Sequence, residues 1–382
     1  MSFYLSFKEI WRNKGRYLLF SLVIALITTL VLFIAALAGG LSLANRQYID
    51  NLEADLLVYQ ADADKLISAS RLNNKTLAAI RRVEGVEDVG PLGFSTTTIV
   101  NPVQTVPVDV TLIGVEPGKP GNPQILSGSP LNRRYANEVI IDKNLVGTIG
   151  VKPGGQITIK TIQGTDEEYF NLTVVGLSDE NQFLFQPSIF VPIETWDQVK
   201  PQASNSSRTS QLIYNLIAVS LLNPADAPQM TQNLQNQIAN IQVLDKETAI
   251  QSIPGYSVQQ STLNTQQAFT LLIGALVLGG FFQIQTMQKI GLIGMLKAIG
   301  TPNRSVAGAN IVQIITVTVF GVLLGLIGTL LISLGMPPEV PIIFNARTIA
   351  TSLAALLLIG PLGSLVAIRI ALKVEPLQAI GL

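Results

Sequence analysis

The chain alternates between two hydrophobic regimes. From Tyr17 to Ala44 it reads YLLFSLVIALITTLVLFIAALAGGLSLA, an uncharged run of 28 residues. A helix needs roughly 20 to cross a bilayer. Similar runs occupy 268–287, 306–334 and 346–371, the last with Arg347 and Arg369 only near its ends, where long side chains reach the interface. Between the first two runs the pattern changes. STTTIV, VDVTLIGVE, EVIIDKNLV, QITIKT, FNLTVVGLS and SIFVPIETW, most bounded by Gly, Pro, Asn or Asp, predict strands. Lys75 to Arg82 predicts a helix, followed by a short strand after the turn at Glu84 to Val86, and Pro224 to Ile241 predicts a second helical zone. The expected fold is an α-helical membrane protein with four transmembrane helices and an α/β domain, residues 45–267, inserted between the first and second.

Flanking charges orient this arrangement. Lys8, Arg12, Lys14 and Arg16 precede the first span, Lys289, Lys297 and Arg304 lie in the turn 288–305, and Lys373 follows the fourth span. The positive-inside rule then places both termini and that turn in the cytoplasm, and the α/β domain and the short loop 335–345 outside. Residues 1–16 carry Phe3, Phe7, Ile10 and Trp11 on one helical face, which predicts an amphipathic helix on the inner surface, breaking at Gly15. The small residues of AALAGG invite a signal-peptide reading, but the apolar run is about twice an h-region, and an uncleaved anchor is expected. A cytoplasmic tail, 372–382, closes the chain.

Composition narrows the chemistry. With 48% hydrophobic and 13% charged residues and a net charge of zero, the chain gives no electrostatic case for nucleic acid. It has neither Cys nor His, which removes disulfides, thiol nucleophiles, Cys/His metal sites and imidazole catalysis. Asp62/Asp64 and Asp166-Glu167-Glu168 read as solvated turns rather than a metal site or a carboxylate pair. The sequence has no G-x-S-x-G elbow and no G-x-x-x-x-G-K-[ST] loop. No catalytic residue or metal site is expected, and any work done draws its energy from another polypeptide.

The span centres lack charge, so an ion-coupled pathway has no obvious members. Thr28, Thr29, Gln283, Gln285, Gln313 and Thr316 are expected to bond to neighbouring helices or their own backbone. Gly274, Gly279 and Gly280, and Gly321, Gly325 and Gly328, would let helices approach closely in a bundle or dimer seam. No substrate-binding residue is assigned.

The turn KIGLIGMLKAIGTPNRSV has its own helical pattern. Ile290, Ile293, Leu296 and Ala298 recur at helical spacing, Gly300 stops the helix and Pro302 prevents its return. A short helix at the inner surface, rigidly continuous with the second span, can carry force from something pressing on it. At these residues the chain resembles the FtsX/MacB/LolC-LolE class of ABC transporter permeases, whose coupling segment reads E-I-G-x-L-[KR]-A-[LI]-G. Ile293, Gly294, Leu296, Lys297, Ala298, Ile299 and Gly300 match, with Met295 at the variable place. Leu292 stands where the family has Glu, and Gly291 where it usually has Arg, a departure at the positions of the family's ion pair with its ATPase. FKEIWRNKGRYLLFSLVIAL resembles the family's start. EVIIDKNLVGTIGVKPGGQITI and LTVVGLSDENQFLFQPSIFVPIETW resemble its outer domain, and KVEPLQAIGL its D-P-x-x-A-L tail. Among branches, FIAALAGGLSLANRQYIDNLEADLLVYQ with QTMQKIGLIGMLKAIG is similar to the haem-exporter permeases of HrtB type more than to the macrolide exporters.

The resemblance implies a MacB-like outer domain and a homodimer in the bacterial cytoplasmic membrane, bound to two copies of a separate ATPase that holds the ATP and Mg. This chain would bind no cofactor. Closure of the ATPases would push on Ile293 to Gly300 and Arg304 and swing the outer domains, a process called mechanotransmission. An adaptor protein could extend the outer domain, and membrane lipid surrounds the spans. The function implied is export of a hydrophobic or amphipathic compound such as haem, a drug, a lipid or a peptide. A different class is an FtsX-type regulator that activates a cell-wall hydrolase and transports nothing; a third is a passive scaffold without an ATPase.

Overall fold

In the computed structural model the described residues are 8, 11–100, 107–179, 181–202, 212–336, 340–363 and 369; the side chains of residues 296, 304, 359–361 and 363 are not among them. Most of the amphipathic helix expected at 1–16, including Phe3, Phe7 and Ile10, lies outside the described residues. So do Pro337 to Glu339 of the short loop, most of the fourth run beyond Gly363, and the tail. The chain forms two compact units, Met1–Leu41 with Gln259–Leu382, and Ser42–Val258.

The second unit begins on the last turns of α1 (Lys14–Asn51). It continues through β1 (Leu56–Gln60), α2 (Asn74–Ile80), β2 (Val86–Val100), β3 (Val108–Val115), β4 (Ile125–Gly128), β5 (Glu138–Asp142) and α3 (Lys143–Ile149). Then come β6 (Gln156–Gln163), β7 (Asp166–Ser178), β8 (Gln186–Pro192), α4 (Ile193–Val199), β9 (Leu216–Leu221), α5 (Ala227–Gln237), β10 (Ile241–Asp245) and α6 (Lys246–Gln251). Strands β10, β1, β9 and the start of β2 pair antiparallel. The rest of β2 pairs with β3, and Thr98 to Val100 with β6. Because β3 pairs with β8, β8 with β5, β5 with β7 and β7 with β6, the pairings return to β2 and close a ring of six strands.

Period-two alternation divides these strands between two cores. Val110, Leu112, Val139, Ile141, Ile189 and Val191 enter one, while Ile113, Ile140 and Phe190 enter the other, with Tyr48, Ile49 and Leu52 from the end of α1. A slip of one residue would exchange the two sets, so register is strongly fixed. Tyr48 also donates a buried hydrogen bond to the Gly121 carbonyl at 3.0 Å.

Two stretches expected as strands are each half helix. EVIIDKNLV turns at Asp142, whose buried carboxylate caps α3 by accepting from Asn144 N at 2.8 Å and also accepts from Asn181 N at 2.5 Å. SIFVPIETW turns at Pro192, which offers the ladder no donor, and α4 follows. The helical zone at Pro224 to Ile241 resolves into a 3-10 turn (Pro224–Asp226) and α5, and its last residue opens β10.

The first unit contains most of α1 together with α7 (Tyr256–Met287), α8 (Ile290–Ala298), α9 (Asn303–Leu334) and α10 (Ala346–Gly363). Three helices are long and apolar enough to cross a membrane, Lys14–Asn51, Tyr256–Met287 and Ser305–Leu334; in place of the fourth expected span the described residues contain a shorter apolar helix, Ala346–Leu358. Helix α7 begins inside the segment that the sequence assigned to the α/β domain. On α1, Ile24, Thr28, Val31, Leu32 and Ala35 are buried, whereas Leu18, Leu22, Leu26 and Leu30, four residues apart, are exposed. A continuous leucine stripe on the outside suits a hydrocarbon environment. The small residues of AALAGG allow a close backbone approach: the Ile343 amide donates to the Ala36 carbonyl at 3.2 Å, and a Cβ at Gly39 would stand 3.3 Å from the Ile343 carbonyl oxygen.

Candidate functional site: the α7–α9 turn

Helix α8 lies between two apolar helices and is bounded by turns. The α7 helix ends at Met287, and Gln288 and Lys289 form a turn before α8 starts, so the rigid continuity expected of this segment is broken there. At its other end Gly300 takes φ +90°, its amide bonding to the Lys297 carbonyl at 2.9 Å. That left-handed position favours glycine. Pro302, extended at ψ 146°, then caps α9.

The two faces of α8 differ sharply. Ile293, 4% exposed, packs against Val306, and Gly294 is buried beside it. Leu292, Met295 and Ile299 point outward, 51%, 58% and 78% exposed, at a spacing that makes one apolar stripe. Gly291, Ala298 and Gly300 are exposed and Lys297 is half-buried. The side chains of Leu296 and Arg304 lie outside the described residues. Leu292, noted in the sequence only as a departure from the family's Glu, thus joins the exposed stripe, and Ile293 belongs to the anchor.

What replaces helical continuity is a polar cluster. Lys289 Nζ donates to Gln313 Oε1 at 2.8 Å and to the Tyr17 hydroxyl at 3.0 Å, and Gln313 Nε2 donates to the same hydroxyl. Tyr17 and Gln313 are each 4% exposed. Charge-assisted bonds in such surroundings are strong and directional. The cluster ties the start of α8 to α1 and α9 at once. Sequence reasoning saw Lys289 as an orienting charge and left Tyr17 unremarked; nothing in the spacing links positions so far apart.

The glycines predicted for packing are distributed between seams and open surface. A Cβ on Gly321 would lie 2.6 Å from Ile24 Cβ, and one on Gly325 2.5 Å from Thr28 Cβ, so this pair forms a seam between α9 and α1 within one chain. Thr29 Oγ1 donates to the Gly325 carbonyl at 3.0 Å across it. Gly274 has only Ile27 Cγ2 near, at 3.1 Å; Gly280 has open space, and Gly279 is half-buried. Thr316 bonds back to the Val312 carbonyl of its own helix, whereas Thr28 Oγ1 and Gln285 Nε2 are buried with no hydrogen-bond partner among the described residues, against the expectation that they bond to a neighbouring helix or their own backbone.

The two acidic clusters noted in the sequence sit in ordinary surface structure. Glu167 accepts from Lys160 at 2.6 Å and from Tyr169 at 3.0 Å, and these bonds, Lys160's first, hold its carboxyl below the usual range. Asp62 lies in a one-turn 3-10 helix.

Residues 17–237 match the MacB-like periplasmic core domain, and residues 267–376 match the FtsX-like permease C-terminal domain. A Staphylococcus haemolyticus protein, provisionally named hemin transport system permease protein HrtB, is 28% identical over 377 residues, covering 99% of each chain. An uncharacterized ABC transporter permease of Mycobacterium tuberculosis is 22% identical over 379 residues, covering 97% of each. Among solved structures, the periplasmic region of MacB from Actinobacillus actinomycetemcomitans is 15% identical with a TM-score of 0.37, covering 54% of this chain and 95% of that one.

Proposed function

The chain belongs to the FtsX-like and MacB-like class of ABC transporter permeases, and from that premise we propose that it is the membrane subunit of an exporter driven by a separate ATPase. Its cargo is hemin or a compound of the same hydrophobic, amphipathic class, a reading supported by full-length similarity to a relative named for hemin transport. Two copies of the chain and two of the ATPase form the working complex, with the α7–α9 turn and both termini in the cytoplasm and the α/β unit outside.

The observation that carries the proposal is the outward stripe Leu292, Met295 and Ile299 on a helix anchored from behind. A helix lying between membrane spans gains nothing for its own fold by exposing three large apolar side chains. A partner's groove gives them a place. Nucleotide-driven closure of the ATPases displaces α8, and the Lys289 cluster passes that displacement to α1 and α9. Both chain connections between the two units, at Leu41 to Ser42 and at Val258 to Gln259, lie within helices, and the proposed movement passes along the chain at these two places.

The test is reconstitution with the co-isolated ATPase in inverted vesicles. ATP-dependent accumulation of hemin, absent without the ATPase, is expected. Stimulated hydrolysis with no accumulation of hemin, drug, lipid or peptide would favour a non-transporting regulator, and failure to capture any ATP-binding subunit would remove the proposal altogether.

A further inference from the structure

The α/β unit contains a cavity of about 170 Å³, open on one side and walled mainly by Leu66, Ile67, Phe94, Phe183, Leu184 and Ile253. That space takes a benzene-sized apolar body, and its open side lets a longer chain extend beyond it; an apolar wall with a few polar groups is the usual character of small-molecule sites. Two polar groups on it are unspent. Tyr59 is 1% exposed, yet its hydroxyl makes no hydrogen bond among the described residues. A buried phenol ordinarily finds a partner. Lys65, half-buried at the wall, likewise has no ion-pair partner among the described residues.

The backbone marks the same place. Of five non-glycine residues with positive φ among the described residues, four are the pairs Asp64-Lys65 and Leu184-Phe185, at φ 49° to 63°, and Lys65 and Leu184 line the cavity. Bulky side chains in the left-handed region are strained, and such strain collects at ligand sites. Leu184 and Phe185 are also held 43% and 49% exposed. Their amides bond to the Asn45 and Ala44 carbonyls, which fixes the strained pair in position.

We infer that this cavity binds an amphiphile with an acyl-like apolar body and a single carboxylate, the body against the Phe94 and Phe183 wall and the carboxylate accepting from Lys65 Nζ and the Tyr59 hydroxyl. Charge complementarity selects an anion over an alcohol or a cation of the same length. The inference stands apart from the transport reading, because it concerns a site complete within the α/β unit.

The test uses the full chain in lipid nanodiscs and dodecanoate bearing a mid-chain diazirine. Photolabelling is expected on peptides containing residues 59–68, 94–96 or 183–184. Excess laurate should displace it and dodecanol should not. Lys65→Glu should lower labelling about tenfold and Tyr59→Phe a few-fold, in line with the loss of a charge-assisted and a neutral hydrogen bond, with unchanged thermal melting confirming that both variants fold. Labelling confined to the membrane helices, equal displacement by dodecanol, or unaltered labelling of Lys65→Glu would overturn the assignment. Displacement by hemin but not by laurate would overturn the acyl body and point to a bulkier carboxylate.

Discussion

Replacing Ile299 by Asp separates docking from folding. The side chain is 78% exposed, so the isolated chain has little to lose, and a surface change of this kind is usually within about 0.5 kcal/mol. In the proposed complex the ATPase would cover the stripe. Burying an isoleucine contributes about 2 kcal/mol, and a carboxylate in its place must also be desolvated. At about 1.4 kcal/mol per decade, affinity for the ATPase should fall about 30-fold or more. Ile293→Ala is the opposite case. With 4% exposure and Val306 packed on it, that residue should cost about 2 to 4 kcal/mol of fold stability. Titrating the ATPase onto nanodisc-embedded chain gives the binding constant, and thermal melting gives the stability. Binding by Ile299→Asp within threefold of wild type, with hydrolysis still stimulated, would refute the reasoning, as would a melting loss equal to that of Ile293→Ala.

Gly325→Val places a β-carbon where Thr28 already stands, 2.5 Å away, and should destabilise the helical unit by about 1 to 3 kcal/mol. Gly280→Ala, with nothing within 4 Å, should leave melting unchanged or raise it through helix propensity worth up to about 1 kcal/mol; equal effects of the two would remove the seam. Gln313→Leu deprives both Lys289 and Tyr17 of a partner, a loss of about 1 to 3 kcal/mol. It is expected to keep ATPase binding but abolish substrate-stimulated hydrolysis, and normal stimulation would show that the cluster carries no force. Burial pushes the Tyr59 and Tyr214 phenols above their ordinary value of 10.0. Each holds its proton more tightly folded than unfolded, so stability is intact below pH 10 and falls as pH climbs above it. An absorbance titration should therefore find Tyr59 and Tyr214 among those of the eight tyrosines that ionise only with unfolding; reversible ionisation of all eight near the ordinary value would contradict it.

The sequence revealed what periodicity encodes and little else. Tyr17 to Ala44 announced a membrane helix because nothing in it is charged, and VDVTLIGVE and QITIKT announced strands because they alternate. Strands β1, β9 and β10 escaped notice. LLVYQ and LIAVSL are buried almost throughout, so they lack the alternation that gives a strand away. The helices after Asp142 and Pro192 were absorbed into the preceding strands because no glycine separates the two periods. At the candidate site, Gly300 and Pro302 fixed the end of α8 from sequence alone. Its start did not follow, because a turn at Gln288-Lys289 leaves no compositional trace.

That turn changes how the proposed coupling would work. A helix unbroken from α7 through α8 would transmit a push by its own hydrogen-bond ladder, and the rest of the bundle could be passive. With the ladder interrupted, stiffness has to come from contacts made by side chains distant in sequence, and the contacts found are Lys289 on Tyr17 and Gln313, and Ile293 on Val306. These contacts bind the start of α8 to α1 and α9 in addition to its chain link with α7. The α1 helix also runs on for 38 residues and ends with Tyr48 and Ile49 in the core of the α/β unit. Under the proposed coupling, the first helix, read from sequence as an anchor, would be the element displaced together with α8, and α7 the one that follows.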